Sequence, residues 1–322
     1  MSSESSIGAS GQSVAFGHRL GEASNGADPS RATIQVIVVH YCSGGMLLDL
    51  TRDLALQKDV DVNLHVVECG DDGSVSSALE EFRFGVEHPG QNLGYCGGNN
   101  LMLREMMNSN SPICLINPDV RLPDPLTLLQ LSTLLDSEPW IGAVAPSIRT
   151  WEGDIEYTGS QVDLTRACAI HTGTHIRAWS PDSPPLVEMP WIDGAFWMLR
   201  SEALREVGLL DEQFFLFSEE VDWCIRAGHK GWRVGVLRDS EVRHERSSSF
   251  GDSTKGAYYA WRNSFLLCKK HEGYGRWIYF WFRSLLQFAA QRGHIRSGMA
   301  SAALRGARDA IAGRTGRMNG DE

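Results

Sequence analysis

The sequence lacks the features that mark several large classes of protein. No stretch reaches the roughly 18 apolar residues needed to span a bilayer, so we expect no transmembrane helix. The opening residues, MSSESSIGASGQ, have neither a basic start nor an apolar run, so no secretory signal is expected. The seven cysteines form no CxxC pair and are odd in number, which favours reduced thiols over a zinc ribbon or a disulfide scaffold. No Walker sequence and no GxGxxG fingerprint is present.

Positive charge is scarce outside the C-terminal part of the chain. The net charge of −10 argues against nucleic acid as the main partner, because neutralising phosphates needs a basic face. Residues 276–318 hold eight Arg and one Asp, a net of +7, and residues 319–322 add two acids, so residues 1–275 carry −15. This asymmetry indicates that only the tail meets an anionic surface.

What is present is the composition and pattern of an α/β protein. The 322 residues are 42% hydrophobic and 22% charged, which suits one substantial globular domain or two small ones. Short apolar runs at 33–40, 62–68, 84–87, 113–116 and 141–145 predict strands, and helical patterns separate them at 46–57, about 99–107 and 126–135. Repeated β-α units predict a mainly parallel sheet, whose ligands bind beyond the carboxyl ends of the strands.

Beyond residue 146 the pattern is less regular. Residues 1–31 lack periodicity and predict a disordered leader. An apolar block at 196–200, a helix at 202–207 and a helix starting at Ser218 are followed by two short strands, 233–237 and 241–244. Residues 256–313 predict two or three helices.

Two polar segments follow predicted strands. Asp119 stands behind Asn117 and Pro118, where a carboxylate can hold a divalent cation that binds a diphosphate, although Asn-Pro-Asp is also a common turn. Residues 92–100 (NLGYCGGNN) combine glycines with a predicted helix start, which suits close approach of an anion and suits equally a plain loop.

A third segment and one histidine complete the candidates. Residues 218–222 (SEEVD) hold three carboxylates among aromatic residues, which favours a general base, whereas Ser218 as N-cap and acids in a first helical turn give a purely structural reading. His244 ends a predicted strand close to this helix in sequence.

As an ordered set, these motifs resemble one family. The set comprises residues 92–100, 117–119, Asp193-Gly-Ala with Arg200, 207–211 (VGLLD), 214–222 (FFLFSEEVD), 231–233 (GWR), His244 and Arg262-Asn263. Over residues 33–270 the chain resembles the family-2 glycosyltransferases of the rhamnosyltransferase-like group. That resemblance implies a GT-A fold and transfer of a sugar, with inversion, from a nucleotide donor to an acceptor hydroxyl. It favours dTDP-L-rhamnose as donor and Mg²⁺ or Mn²⁺ as cofactor.

The resemblance also implies roles for particular residues. Glu220 falls at the position of the catalytic base, where the family usually has Asp, and Glu68 falls where an Asp usually contacts the donor base. Asp119 and His244 correspond to the metal site. The remaining implied residues are Glu219, Asp222, Asp193, Trp191 and Arg262 as supporting or acceptor-binding groups, and Tyr41, Glu68, Asn92, Gly94, Gly98, Asn99, Asn117 and Asp119 on the donor.

The implied organisation is a catalytic domain over 32–255, with a nucleotide-sugar half at 32–147 and an acceptor half at 148–255, and a helical extension over 256–322. The aromatic and Arg-rich stretch 276–288 suits a helix lying on an anionic membrane, and equally one packed on the body or in a homodimer. We expect a cytoplasmic protein acting on a glycan or lipid-linked acceptor. The rival functions are a nucleotidyltransferase acting on sugar phosphates and a non-catalytic carbohydrate-binding protein.

Overall fold

A computed structural model describes residues 31–151, 155–157, 160–163, 168–171, 184–244, 254–272 and 297–318. The predicted leader, up to residue 30, and the aromatic stretch 276–288 lie outside these ranges. Among the described residues no helix is both long and apolar enough to cross a membrane. Six described cysteines are free thiols, as predicted: Cys42, Cys69, Cys96, Cys114, Cys224 and Cys268.

Twelve strands and eight helices make up the described part of the chain. The strands are β1 (Ala32–Tyr41), β2 (Val60–Gly70), β3 (Gly85–Glu87), β4 (Ile113–Ile116), β5 (Val120–Arg121), β6 (Ile141–Arg149), β7 (Ile155–Tyr157), β8 (Ser160–Asp163), β9 (Cys168–His171), β10 (Leu186–Met189), β11 (Phe196–Leu199) and β12 (Arg233–His244). The helices are α1 (Met46–Ala55), α2 (Ser74–Glu81), α3 (Gly94–Met106), α4 (Thr127–Ser137), α5 (Ser201–Val207), α6 (Glu219–His229), α7 (Thr254–Glu272) and α8 (Ser297–Ile311).

One mixed sheet forms the centre of the protein. Its strands lie in the order β10-β12-β6-β11-β4-β1-β2-β3, with β5 paired to β12 and β7 to β6, while β8 and β9 form a separate hairpin. The pairs β1–β2, β1–β4, β2–β3 and β6–β12 are parallel, which confirms the mainly parallel prediction. The central strands are apolar throughout, as for strands covered on both faces; all four residues of β4 and of β11 are buried.

The antiparallel strand β11 determines which loops meet. It lies between β4 and β6 and runs opposite to both. The carboxyl ends of β1, β2, β4, β6 and β12 therefore share one edge of the sheet, and the residues just before β11 reach the same edge. Asp119, Asp193 and His244, distant in sequence, are brought to this edge by topology.

Two boundaries differ from the sequence prediction. Helix α3 begins at Gly94 rather than near Asn99, because Asn92 Oδ1 accepts a hydrogen bond from Gly94 N (2.8 Å) and starts the first turn within the glycine-rich segment. The predicted strands 233–237 and 241–244 are one strand, β12, whose register against β6 shifts between Leu237 and Glu241.

The C-terminal helices α7 and α8 pack on each other. At Gly306 of α8, a side chain would place its Cβ 2.4 Å from Tyr258 O, so only glycine allows this approach. Tyr258 Oη donates to Asp309 Oδ2 (2.8 Å) across the pair. Two of the helices predicted over 256–313 are thus present in the described residues.

Candidate active site

Asp119 and His244 form one corner of the crevice. The turn after β4 is fixed by Asn117 N, which donates to Ala195 O at 2.8 Å. Strand β5 then pairs antiparallel with the end of β12, with Val120 opposite His244. This register brings His244 Nε2 to 3.3 Å from Asp119 Oδ1, and each side chain is only 14% exposed.

This corner fits a divalent cation. Asp119 Oδ1 is buried and accepts no hydrogen bond from any described residue, so it retains lone pairs for a ligand. No group of three or more His, Cys, Asp and Glu capable of holding a metal occurs among the described residues. Mg²⁺ and related ions are commonly held by one or two protein ligands and by substrate phosphates, so two side chains suffice if a diphosphate completes the coordination.

Glu219 and Glu220 begin helix α6. Ser218 occupies the N-cap position, as the structural reading of the sequence has it, but its side chain makes no capping hydrogen bond. Its φ of 74° lies in the left-handed region, whereas an N-cap residue usually has extended backbone angles. Glu219 is 4% exposed and Glu220 is partly buried, and the Oε2 atom of each has no hydrogen-bond partner among the described residues.

Burial and mutual repulsion favour the protonated forms of both glutamates. Burial raises the pKa of Glu219 to about 7, and the charges of Asp193 and Asp222 add to the rise. The pKa of Glu220 is raised well above its ordinary value by burial and by the charges of Glu219 and Asp193. Crowded carboxyl groups with raised pKa values are typical of sites where a proton or a ligand is exchanged.

The loop before β11 lies directly against Glu220. A Cβ atom on Gly194 would sit 3.6 Å from Glu220 Cβ and Cγ, an ordinary van der Waals distance, so this loop packs against the Glu220 side chain. Asp193 Oδ1 accepts from Ala195 N (2.7 Å), and Tyr95 Oη donates to Gly194 O (2.6 Å). The structure thus brings Asp193 and Glu220 together.

Asp222, two residues further on, has a different environment. It is fully buried and contacts two cationic side chains and a histidine: Arg226 Nε at 2.8 Å, Lys270 Nζ at 2.7 Å and His271 Nε2 at 2.8 Å. Burial alone would raise the pKa of Asp222, but the His271 hydrogen bond and the charges of Arg226 and Lys270 outweigh it and lower the pKa to about 2. These contacts support a structural role that joins α6 to α7.

The glycine-rich segment uses its glycines for packing. Gly94 has φ 69°, and a Cβ there would lie 2.5 Å from Phe215 O. A Cβ on Gly98 would lie 2.7 Å from both methyl groups of Val39, so this glycine lets α3 pack onto β1. Asn99 is buried and its amide donates to Tyr95 O (2.9 Å), while its Oδ1 has no partner among the described residues.

Tyr41 and Glu68 lie at the carboxyl ends of β1 and β2. Tyr41 pairs with Gly70, and its ring covers that glycine so closely that a Cβ would be 2.7 Å from the ring. Glu68 Oε2 lies 2.8 Å from His88 Nδ1, a partner for Glu68 that the sequence analysis did not identify. Glu68 therefore contacts the segment that follows β3.

Trp191 and Arg262 are each only 1% exposed. Arg262 donates to backbone carbonyls of residues 213, 214 and 316 instead of facing the crevice. The neighbouring Asn263 donates to backbone carbonyls in the same stretch, residues 214–217. A sequence signal existed, because two adjacent polar residues that can donate several hydrogen bonds interrupt an otherwise largely apolar helical stretch.

Comparison with known proteins bears on this site. No protein-family profile matches the chain. The chain is 26% identical over 266 residues to the N-acetylglucosaminyl-diphospho-decaprenol L-rhamnosyltransferase of Mycobacterium tuberculosis, covering 76% of this chain and 86% of the relative. It is 24% identical over 183 residues to the low-salt glycan biosynthesis hexosyltransferase Agl10 of Haloferax volcanii, covering 55% of this chain and 57% of that protein.

Solved structures share the fold. The mannosyltransferase PcManGT of Pyrobaculum calidifontis, in complex with GDP-Man and Mn²⁺, superposes with a TM-score of 0.54 at 14% identity, covering 87% of each chain. GalNAc-T7 with UDP, GalNAc and Mn²⁺ gives a TM-score of 0.57 at 11% identity, covering 88% of this chain and 57% of that one. These structures show that the fold is GT-A, and in sequence the chain is similar to glycosyltransferases named as a rhamnosyltransferase and a hexosyltransferase.

Proposed function

We propose that the protein transfers L-rhamnose, with inversion, from dTDP-L-rhamnose to a hydroxyl of a lipid-diphosphate-linked sugar. The Mycobacterium tuberculosis relative is named for rhamnosyl transfer onto a diphospho-decaprenol acceptor, which supports the sugar and the acceptor class. The observation that carries the proposal is that Glu220, whose Oε2 has no hydrogen-bond partner among the described residues, lies at the same edge of the sheet as the Asp119–His244 corner.

In this mechanism Glu220 is the general base. It accepts the proton of the acceptor hydroxyl as the oxygen bonds to the anomeric carbon, and the bond from that carbon to the diphosphate breaks with its electron pair on the nucleoside diphosphate. Attack opposite the leaving group inverts the anomeric configuration. Asp193 holds the loop that packs on Glu220. Glu220 acts in its ionised form, and its raised pKa makes that carboxylate a stronger base.

Asp119 and His244 would hold a divalent cation. When bound, Mg²⁺ or Mn²⁺ supplies positive charge that stabilises the leaving diphosphate. Tyr41 and Glu68, at the ends of β1 and β2, are the proposed contacts for the nucleoside, and Asn92 starts the turn in front of α3.

Transfer from labelled donors tests the proposal. We expect product from dTDP-L-rhamnose with an N-acetylglucosaminyl-diphospho-polyprenol and Mn²⁺, with the anomeric configuration of the product opposite to that of the donor. Product from a UDP-sugar instead would change the donor, and retained configuration would contradict the base mechanism. Pyrophosphate release from a nucleoside triphosphate and a sugar phosphate would indicate a nucleotidyltransferase.

A further inference from the structure

Residues 213–218, which we call the acid loop, lead directly into Glu219 and have an unusual backbone. Three of them have left-handed conformations: Phe215 (φ 66°), Phe217 (φ 68°) and Ser218 (φ 74°). Residues other than glycine adopt this conformation at an energetic cost, and it persists only where surrounding contacts impose it. The contacts that hold the acid loop therefore determine where the two glutamates lie.

Helix α7 supplies the first set of these contacts. The side-chain amide of Asn263 donates to three carbonyls of the acid loop, at 2.9, 2.6 and 2.8 Å: those of Phe214, Leu216 and Phe217. Arg262 Nη2 donates to Phe214 O (2.7 Å), and Arg262 Nε donates to Asn263 Oδ1 (2.9 Å), which fixes the orientation of the amide. Both side chains are buried, so water does not replace these bonds.

The residues after α8 supply the second set. Gly316 N donates to Gln213 O (2.8 Å), and Gly316 O accepts from Arg262 Nη1. Met318 N donates to Tyr259 Oη (2.9 Å), and the Tyr259 ring stacks on Phe215 with centroids 5.2 Å apart. The C-terminal segment thus closes a ring of contacts around the acid loop, although it lies outside the part of the chain that carries the family resemblance.

We propose that Arg262, Asn263 and residues 314–318 are positioning groups for Glu220, an inference that rests on the proposed function. Without their hydrogen bonds the acid loop is free to relax toward right-handed backbone angles, and the start of α6 moves with it. A displacement of about 1 Å at a reacting group costs on the order of 10²-fold in rate. Donor binding should persist, because Asp119 and His244 lie on strands β5 and β12 and their turns.

Three variants and one control test this proposal. Asn263→Ala removes the amide donor, and truncation after Ala312 removes the 316–318 contacts but keeps α8. Arg262→Lys keeps the charge but loses the forked geometry, and truncation after Met318 removes only residues 319–322. We expect kcat to fall at least about tenfold in the first three proteins, with KM for the donor within about twofold of wild type. Truncation after Met318 should behave as wild type.

Amide hydrogen exchange provides a readout that does not need turnover. Faster exchange confined to residues 213–222, with β1–β4 protected as in wild type, would show that the contacts hold the acid loop. Wild-type kcat in a variant with unchanged exchange would overturn the proposal. So would a parallel loss of kcat and of Mn²⁺-dependent nucleoside diphosphate binding, which would indicate a general structural role. If the wild type itself transfers no sugar, the proposed function fails, while exchange still reports on the acid loop.

Discussion

Three carboxyl groups within four residues of α6 differ in charge because they face different neighbours. Asp222 is surrounded by cations and stays ionised, with a pKa of about 2. Burial among other acids raises the pKa of Glu219 to about 7 and that of Glu220 well above its ordinary value. The sequence SEEVD contains none of this information, since the cations come from α7 and from the end of α6.

Glu220→Gln should abolish transfer while leaving donor binding nearly intact. The amide keeps the shape of the side chain but does not accept a proton at neutral pH, and general-base catalysis contributes about 10²–10⁴-fold. Turnover and calorimetric donor affinity are to be measured side by side, with Glu219→Gln and Asp222→Asn as comparisons. If Glu220→Gln kept more than about a tenth of turnover while Asp222→Asn was inactive, the assignment of the base would be wrong.

Asp119→Ala should remove metal-dependent binding of the nucleoside diphosphate with the fold intact. Its Oδ1 is the buried atom without a hydrogen-bond donor, and His244 alone leaves a divalent ion with one protein ligand in this corner. Calorimetry with and without Mn²⁺ measures this. An unchanged dependence on Mn²⁺ would rule out the metal role, and the matched Asp49→Ala variant, at a half-exposed side chain of α1, should bind as wild type.

Acid should weaken the contact between α6 and α7 that Asp222 makes. The folded pKa of Asp222 lies below its unfolded value, so the stability it contributes is complete above about pH 4 and is lost as the pH falls toward about 2. Asp222→Asn should remove this pH dependence, and at neutral pH it should cost about 3 kcal/mol or more, because Arg226 and Lys270 lose the buried carboxylate that pairs with them. Denaturant unfolding at several pH values measures both effects.

Glu219 should affect the pH dependence of stability in the direction opposite to Asp222. The folded pKa of about 7 lies above the unfolded value, so wild-type stability declines as the pH rises from about 4.5 to about 7. The Glu219→Gln variant lacks this decline and should be the more stable protein at pH 8, with little difference near pH 4. Equal stability at pH 8 would show that Glu219 ionises without penalty.

Among the secondary-structure elements, the sequence predicted those that carry a local signal. The apolar run of β4 and the amphipathic pattern of α1 are visible in the residues themselves, and both were predicted close to their observed positions. The start of α3 was missed, because Asn92 initiates a turn through a segment whose glycines looked like a loop. The sequence marks Arg262 and Asn263 as unusual polar residues in a helix but does not show what they bind, since their carbonyl partners lie about 50 residues away, at 213–217 and at 316.

The packing of α3 on β1 can be tested at Gly98. Gly98→Ala would place a methyl group 2.7 Å from both Cγ atoms of Val39, which forces the helix away from the strand. Such overpacking typically costs about 1–3 kcal/mol. Adding Val39→Ala should recover part of the loss in thermal unfolding. A double variant no more stable than Gly98→Ala alone would show that the contact with Val39 is not the cause.

Considered as one molecule, the protein combines an acidic body with a basic C-terminal part. Helix α8 exposes Arg308 beside Leu304 and Ile311, which are each 45% exposed, while its other face packs on α7. A surface of apolar side chains with arginine suits the boundary of an anionic membrane, where each basic residue near the surface contributes about 1 kcal/mol. A lipid-linked acceptor would make such contact useful to the proposed reaction.

If α8 contacts the membrane, Arg308→Glu should weaken flotation with anionic vesicles on the order of tenfold or more, because the charge of this surface changes by two. Lys58→Glu makes the same change of net charge at a different site. Lys58 lies between α1 and β2, at the amino end of β2, and its substitution should have little effect. Raising the salt concentration should weaken wild-type flotation, since screening shortens the reach of the attraction. Equal losses in the two variants would assign the attraction to net charge alone, and wild-type protein that never floats would exclude membrane contact through α8.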